Sequence, residues 1–245
     1  MIELEGVSFG YGRGDTLRQV SCRMQDGEVV GLIGPNGAGK STLLRLCAGL
    51  LRPRQGAVRV DGRSVDAYRA RAFARRVAFL PQSRPVPSIS VQRLVEMGRF
   101  AHGTDGCEAV DRALSAVGLS ENARRDVRIL SGGQRQMAYL AMLLAQESPN
   151  VLLDEPLTHL DIGAQLDVIR VIRQMRGQGK CVAVVLHDLA LLPQICDRAL
   201  LVHQGQILFR GSPGECLLSP ALEQAFGVRV LPGEGPGFER HECFT

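Results

Sequence analysis

GPNGAGKS, Gly34 to Ser41, follows directly on the apolar run Val29-Val30-Gly31-Leu32-Ile33. A glycine, four residues and then Gly-Lys-Ser after such a run is the spacing of a loop that cradles phosphates between a strand and a helix. The chemistry needs these residue types. Glycines let successive backbone N–H groups turn inward, and the helix that follows presents its positive end to the anion. Gly34, Pro35, Asn36, Gly37, Ala38, Gly39 and Thr42 are then candidate phosphate contacts, Lys40 reaches the outer phosphates, and Ser41 ligates magnesium. Only two of the 29 basic residues are lysine, Lys40 and Lys180. A compact ammonium kept in an arginine-using chain marks a lysine chosen for its chemistry, because a planar guanidinium does not fit the same nook.

The 245 residues suffice for one large α/β domain, or a core with a smaller lobe. A net charge of +4, 4% aromatic residues and no Trp argue against a stacking surface for single-stranded nucleic acid, so no nucleic-acid partner is expected. The clusters Arg69, Arg71, Arg75, Arg76 and Arg124, Arg125, Arg128 read as solvated helix faces. Cys22, Cys47, Cys107, Cys181, Cys196, Cys216 and Cys243 show no metal-ligand spacing, and their odd number argues against a disulfide framework. They read as small buried hydrophobes in a reducing compartment. The opening MIELEGVSFG does not resemble a signal peptide, and no stretch approaches eighteen apolar residues. Any membrane role must come through a partner.

Alternation of apolar and polar residues around Gly10-Tyr11-Gly12 predicts an antiparallel pair, Ile2 to Phe9 with Leu17 to Met24, joined by a strand at Ala57 to Asp61. Leu43, Leu46, Cys47, Leu50 and Leu51 recur at helical spacing up to Pro53. From about Ile89 to Gln146 the period is helical, with Val91, Leu94, Val95 and Val110, Leu114, Val117 marking two amphipathic helices of an inserted lobe. Strands at Val77 to Leu80, Asn150 to Asp154 and Cys181 to Leu186 alternate with helices at Ile162 to Met175 and Asp188 to Ile195, which implies a mostly parallel sheet with helices on both faces. A hairpin about Gln204-Gly205 follows, and the Gly- and Pro-rich end from Leu231 is expected to fray, with His241, Glu242 and Cys243 read as tail rather than metal ligands.

A phosphate loop alone does not choose among kinases, GTPases and ATPases. Ser131-Gly132-Gly133-Gln134 precedes another helix, with Ser131 as its cap, and makes a second anion site. One phosphate tail has no need of two such sites in one chain, whereas a second copy could supply one of them and clamp the nucleotide in a dimer. Val151-Leu152-Leu153-Asp154-Glu155 is a strand that ends in two acids, Asp154 for the magnesium shell and Glu155 to orient or deprotonate water. His187 ends the next strand at the same sheet edge, in reach of the outermost phosphate. Gln82 offers a neutral amide to magnesium and water, and Tyr11 a flat ring to adenine.

With these motifs in order, the chain from Ile2 to about Val230 resembles the ATP-binding-cassette ATPases. GPNGAGKST looks like the family's phosphate loop, LSGGQ its signature, VLLDE its magnesium and base strand, Leu160-Asp161 its dimer-facing loop, and Gln82 and His187 its switch residues. SVQRLVEMGRF, LAQESPNVLLDEP, THLDI, HDLALLPQICDRALL and AFGV look most like the importers for iron-siderophore, haem and cobalamin. Leu157, Met137 and Tyr139 depart from the expected pattern without removing a catalytic group.

The resemblance implies a phosphate-loop NTPase core of α/β class with an N-terminal antiparallel β subdomain and an inserted helical subdomain. Residues 1–231 would form the ATPase domain, with the lobe at about 89–146 and a flexible tail at 232–245. It further implies ATP and magnesium as ligands and a head-to-tail pair of copies. Permease subunits would be gripped by the lobe and the Gln82 segment, an extracytoplasmic binding protein would act indirectly, and the chain would sit peripherally on the cytoplasmic face of the inner membrane. A soluble cassette acting as an assembly factor, for example in iron-sulfur cluster building, keeps every nucleotide motif and stays open. A small-molecule kinase would show an acceptor pocket and no signature loop.

Overall fold

A computed structural model describes residues 1–103, 106–231 and 237–240. The elements run β1 (Ile2–Phe9), β2 (Leu17–Met24), β3 (Val29–Ile33), α1 (Lys40–Cys47), β4 (Gln55–Val60), β5 (Arg63–Ser64), α2 (Ala70–Ala74), β6 (Val77–Leu80) and α3 (Val91–Met97). Then come α4 (Cys107–Ala116), α5 (Gly132–Gln146), β7 (Asn150–Leu153), α6 (Ile162–Gly177), β8 (Cys181–Val185), α7 (Leu192–Ile195), β9 (Arg198–His203) and β10 (Gln206–Gly211). The chain continues through α8 (Pro213–Leu217), α9 (Pro220–Phe226), β11 (Val228–Leu231) and β12 (Gly237–Arg240).

The principal sheet has the order β10-β9-β3-β8-β7-β6, parallel throughout except for the β10 edge. A second, antiparallel sheet has the order β2-β1-β4-β5. Alternation along the parallel strands divides their side chains between two cores. Val30, Leu32, Leu152, Ala183 and Val185 face a core shared with β1, β2, β4 and α1. Val29, Ile33, Val151, Leu153, Val182 and Val184 face a core shared with α5, α6 and α7. The antiparallel sheet therefore covers one face of the parallel sheet, with α1 between them. Parallel strands buried on both sides explain runs such as Val151-Leu152-Leu153 with no polar alternation.

The helical insertion is less separate than its sequence suggests. Val91, Leu94, Val95, Val110, Ala113 and Leu114 belong to the same continuous core as one face of the parallel sheet, with α5 packed against both. Gly98 permits that packing, since a Cβ there would lie 2.2 Å from Met142 O.

Some expected boundaries move. The helix after the phosphate loop ends at Cys47 rather than near Pro53, because Gly49 turns with φ 67°, leaving Leu50 exposed. Only Leu192–Ile195 of the predicted 188–195 helix is α-helical, after a 3-10 turn at Leu189–Leu191. The tail is not wholly frayed, for Gly237–Arg240 pairs with Val228–Leu231. His241, Glu242 and Cys243 lie outside the described residues. Five cysteines are buried as expected, but Cys107 is exposed. Arg71 and Arg75 do more than face water, since both donate through Nε to Ala101 O and brace the lobe.

Candidate functional site

β3 lies at the middle of the parallel sheet between β8 and β9, neither adjacent to it in sequence, and the loop at its C-terminal end opens at that switch in strand order. Gly34 leaves the strand at φ 146°, where a Cβ would lie 2.0 Å from Val202 O. Gly37 has φ 78° with open space on its Cβ side, and Gly39 caps α1 at φ 107°. These conformations favour glycine for backbone reasons, independently of any ligand.

The loop bends around Lys40. Its Nζ donates to Gly34 O (2.7 Å) and Pro35 O (2.9 Å), and the residue is 5% exposed. Burial lowers the Lys40 pKa from the ordinary lysine value, against the opposing charges of Glu155 and Asp154. Ser41 Oγ donates to Asp154 Oδ1 (2.8 Å), tying the first turn of α1 to the end of β7. Asp154 is buried, its other oxygen has no hydrogen-bond partner among the described residues, and burial raises its pKa above the usual aspartate value.

Glu155 occupies the left-handed region at φ 54°, a conformation that costs a non-glycine residue about 1–3 kcal/mol and persists only where the surroundings hold it. Three donors hold its carboxylate. Gln82 Nε2 donates to Oε2 (2.7 Å), His187 Nε2 to Oε1 (2.6 Å) and Thr158 Oγ1 to Oε2 (3.3 Å). Gln82 and His187 thus meet on the acid itself. Tyr11 is exposed at the rim, edge-on to Phe9, with its hydroxyl 3.4 Å from Thr42 Oγ1.

Tyr11, Asn36, Gly37, Ala38, Gly39, Lys40, Ser41, Thr42, Gln82, Glu155 and His187 line one cleft of about 690 Å³. Gly34 and Pro35 turn their carbonyls to Lys40 beneath it. Sequence reading missed two lining residues, Thr16 and Thr158. Thr158 had a signal, its place three residues after the candidate base. Thr16 had none, since it reaches the loop only through the antiparallel hairpin.

Ser131 to Gln134 are not brought to this cleft within the chain. Ser131 is the N-cap of α5 in a capping box with Gln134, each side chain accepting from the other's backbone N–H. Gly132 and Gly133 add N–H groups of the first turn, which have no acceptor inside the helix.

The donors suit the ligands inferred from the sequence. A small hard cation takes few protein oxygens and completes its shell with phosphate and water. A serine hydroxyl beside a buried carboxylate with an unpartnered oxygen is such a set, and Gln82 adds an amide. No cluster of three His, Cys, Asp or Glu that could hold a metal occurs among the described residues.

The model of the ABC transporter family matches residues 17–158. The chain is 37% identical over 241 residues to the ferric enterobactin transport ATP-binding protein of Escherichia coli (strain K12), covering 95% of this chain and 89% of that protein. It is 37% identical over 240 residues to the hemin import ATP-binding protein of Pseudomonas entomophila, covering 94% of each. It is 41% identical over 242 residues to the cobalamin import ATP-binding protein of Halobacterium salinarum, covering 96% of this chain but 61% of that protein's length. Among solved structures, an ATP-binding cassette of an ABC transporter in its ADP conformation superposes with a TM-score of 0.84 at 21% identity, covering 92% of this chain and 98% of that one.

Proposed function

The chain belongs to the ABC transporter family and is an ATPase, and from that premise we propose that it powers the import of an iron chelate, haem or cobalamin through separate membrane subunits. The observation that carries the catalytic part is the convergence of Lys40, Ser41, Asp154, Glu155, Gln82 and His187, from four segments of chain, around one strand-end cleft. The import part is supported by similarity along nearly the whole chain to import ATP-binding proteins.

In this reading the backbone of residues 34–39 and the start of α1 hold the triphosphate, Lys40 gives up its loop carbonyls for phosphate oxygens, and Tyr11 supports the base. Ser41, Gln82 and Asp154 would hold magnesium, which when bound offsets charge on the outer phosphates. Glu155 takes a proton from the attacking water. His187 and Gln82, now on the Glu155 carboxylate, orient it and exchange partners as the phosphate arrives and leaves.

A second copy supplies Ser131 to Gln134, whose first-turn N–H groups close on the outermost phosphate, so ATP draws two copies together and hydrolysis releases them. No helix among the described residues is long and apolar enough to cross a membrane. In this reading the stroke is delivered to permease subunits at the cytoplasmic face of the inner membrane, with an extracytoplasmic binding protein presenting the cargo. Extraction in mild detergent tests this: the chain should co-purify with a polytopic membrane protein. Strictly soluble behaviour in cells would sink the transport reading and favour an assembly factor.

A further inference from the structure

Two polar side chains outside the cleft close a ring of contacts behind it. Gln82 Nε2 donates to Glu155 (2.7 Å), and two residues after Gln82 the Arg84 Nη2 donates to Gln136 Oε1 (2.6 Å). Gln136 Nε2 in turn donates to the carbonyl of Pro156 (2.8 Å), which is bonded to Glu155. The ring thus joins three segments distant in sequence: the Gln82 segment, the turn carrying the acid, and α5, whose exposed N-terminus begins with Ser131-Gly132-Gly133-Gln134.

The ring has one arrangement. A guanidinium only donates and a carbonyl only accepts, so the Gln136 amide must give its oxygen to Arg84 and its N–H to Pro156. Gln136 is buried, and a reversed amide would leave both partners facing the wrong atom. Arg84 also lies over the Tyr139 ring, 4.6 Å from its centroid, while the Tyr139 hydroxyl donates to Pro85 O. Nη1 of Arg84 has no hydrogen-bond partner among the described residues, so Gln136 and Tyr139 are what orient it. The ring's other end abuts Glu155, whose left-handed backbone needs such support.

We propose that Arg84 and Gln136 are positioning residues for hydrolysis: they bind α5, the Gln82 segment and the Glu155 turn into one body, so displacement of the signature end of α5 is transmitted to the Glu155 carboxylate that takes the proton of the attacking water. The inference rests on the ATPase reading of the cleft. Neither residue lines that cleft.

The full-length chain tests this with Arg84→Met, Gln136→Leu, Gln136→Glu, Arg84→Lys and the Arg84→Met/Gln136→Leu double variant. Steady-state ATP hydrolysis is measured beside equilibrium binding of a fluorescent ATP analogue. Each of the Met and Leu variants should lose about tenfold in kcat while KM and the analogue Kd stay within about twofold, since a small misplacement of a reacting group is costly. The double variant should lose no more than the worse single, because a ring is broken only once. Gln136→Glu keeps an acceptor for Arg84 but offers no N–H to Pro156, so it should fall with the Leu variant. Arg84→Lys keeps a donor and should recover part of kcat.

An unchanged kcat in folded, nucleotide-binding variants would overturn the proposal, as would losses that multiply in the double variant or fall equally on kcat and Kd. If Arg84→Met does not fold, Gln136→Glu and Arg84→Lys decide by the same criteria. A wild-type chain that binds ATP without hydrolysing it would instead refute the reading of the cleft.

Discussion

Replacing Glu155 by glutamine removes a proton acceptor while keeping the shape of the side chain, and the structure separates its consequences. The carboxylate receives Gln82 Nε2 at 2.7 Å and His187 Nε2 at 2.6 Å, one on each oxygen. An amide has one oxygen and one NH2, so one of the two partners loses its carboxylate acceptor and must turn to present an acceptor of its own. That forfeits one charge-assisted hydrogen bond, about 1.5–3 kcal/mol before discount. His187 is 40% exposed, so water takes up part of the loss and the fold survives. The chemical step suffers more: losing a positioned general base costs about 10² to 10⁴ in rate, or roughly 2.7–5.4 kcal/mol in barrier. ATP binding should not weaken, because a negative charge beside the triphosphate is removed. Phosphate release by Glu155→Gln should thus fall by two to four orders of magnitude (about 10² to 10⁴) with no rise in KM. Light scattering should meanwhile find a dimer that accumulates in magnesium and ATP. Turnover within about threefold of wild type would show that Glu155 is not the base, and a variant that stays monomeric with magnesium and ATP would refute the shared site.

Lys40→Ala should abolish nucleotide binding or turnover, checked with a fluorescent ATP analogue, since it removes the cation that the loop carbonyls of Gly34 and Pro35 now hold. Gly34→Ala would place a Cβ 2.0 Å from Val202 O in a rigid neighbouring strand, so urea unfolding should show a loss of more than about 1 kcal/mol, beyond the ordinary Gly/Ala propensity difference. For thiol labelling, burial pushes the Cys22, Cys181 and Cys196 thiols up to about 12 and Cys216 to about 11. Native-state alkylation near neutral pH, read by mass spectrometry, should therefore modify Cys107 and spare those four; rapid modification of Cys22 would contradict the burial of the antiparallel sheet.

What was legible beforehand was legible because its physics is local. The phosphate loop needs glycines at positive φ followed by Lys-Ser, and those demands fall within eight consecutive residues. The Ser131 cap and its Gln134 partner are three apart, the spacing of a capping box. Val151-Leu152-Leu153 announced a doubly buried strand, and the two acids after it followed. The helix boundary at Cys47 was misplaced because Leu50 kept the helical period while Gly49, one residue earlier, had already turned the chain. Cys107 was misjudged because a cysteine's burial depends on its helix face, not on its spacing to other cysteines.

From residue types alone came the glycine loop after β3, the acids at a strand end, the parallel core and the capped N-terminus of α5, since each is a short-range requirement of backbone geometry or charge. The placement of β3 between β8 and β9, the meeting of Gln82 and His187 on Glu155, and the ring through Arg84, Gln136 and Pro156 depended on the folded chain. Arg84 lies 52 residues from Gln136 in sequence, and Gln136 lies 20 from Pro156. No periodicity or motif spans such distances; only the packing of α5 against the sheet edge brings these groups within a hydrogen bond of one another.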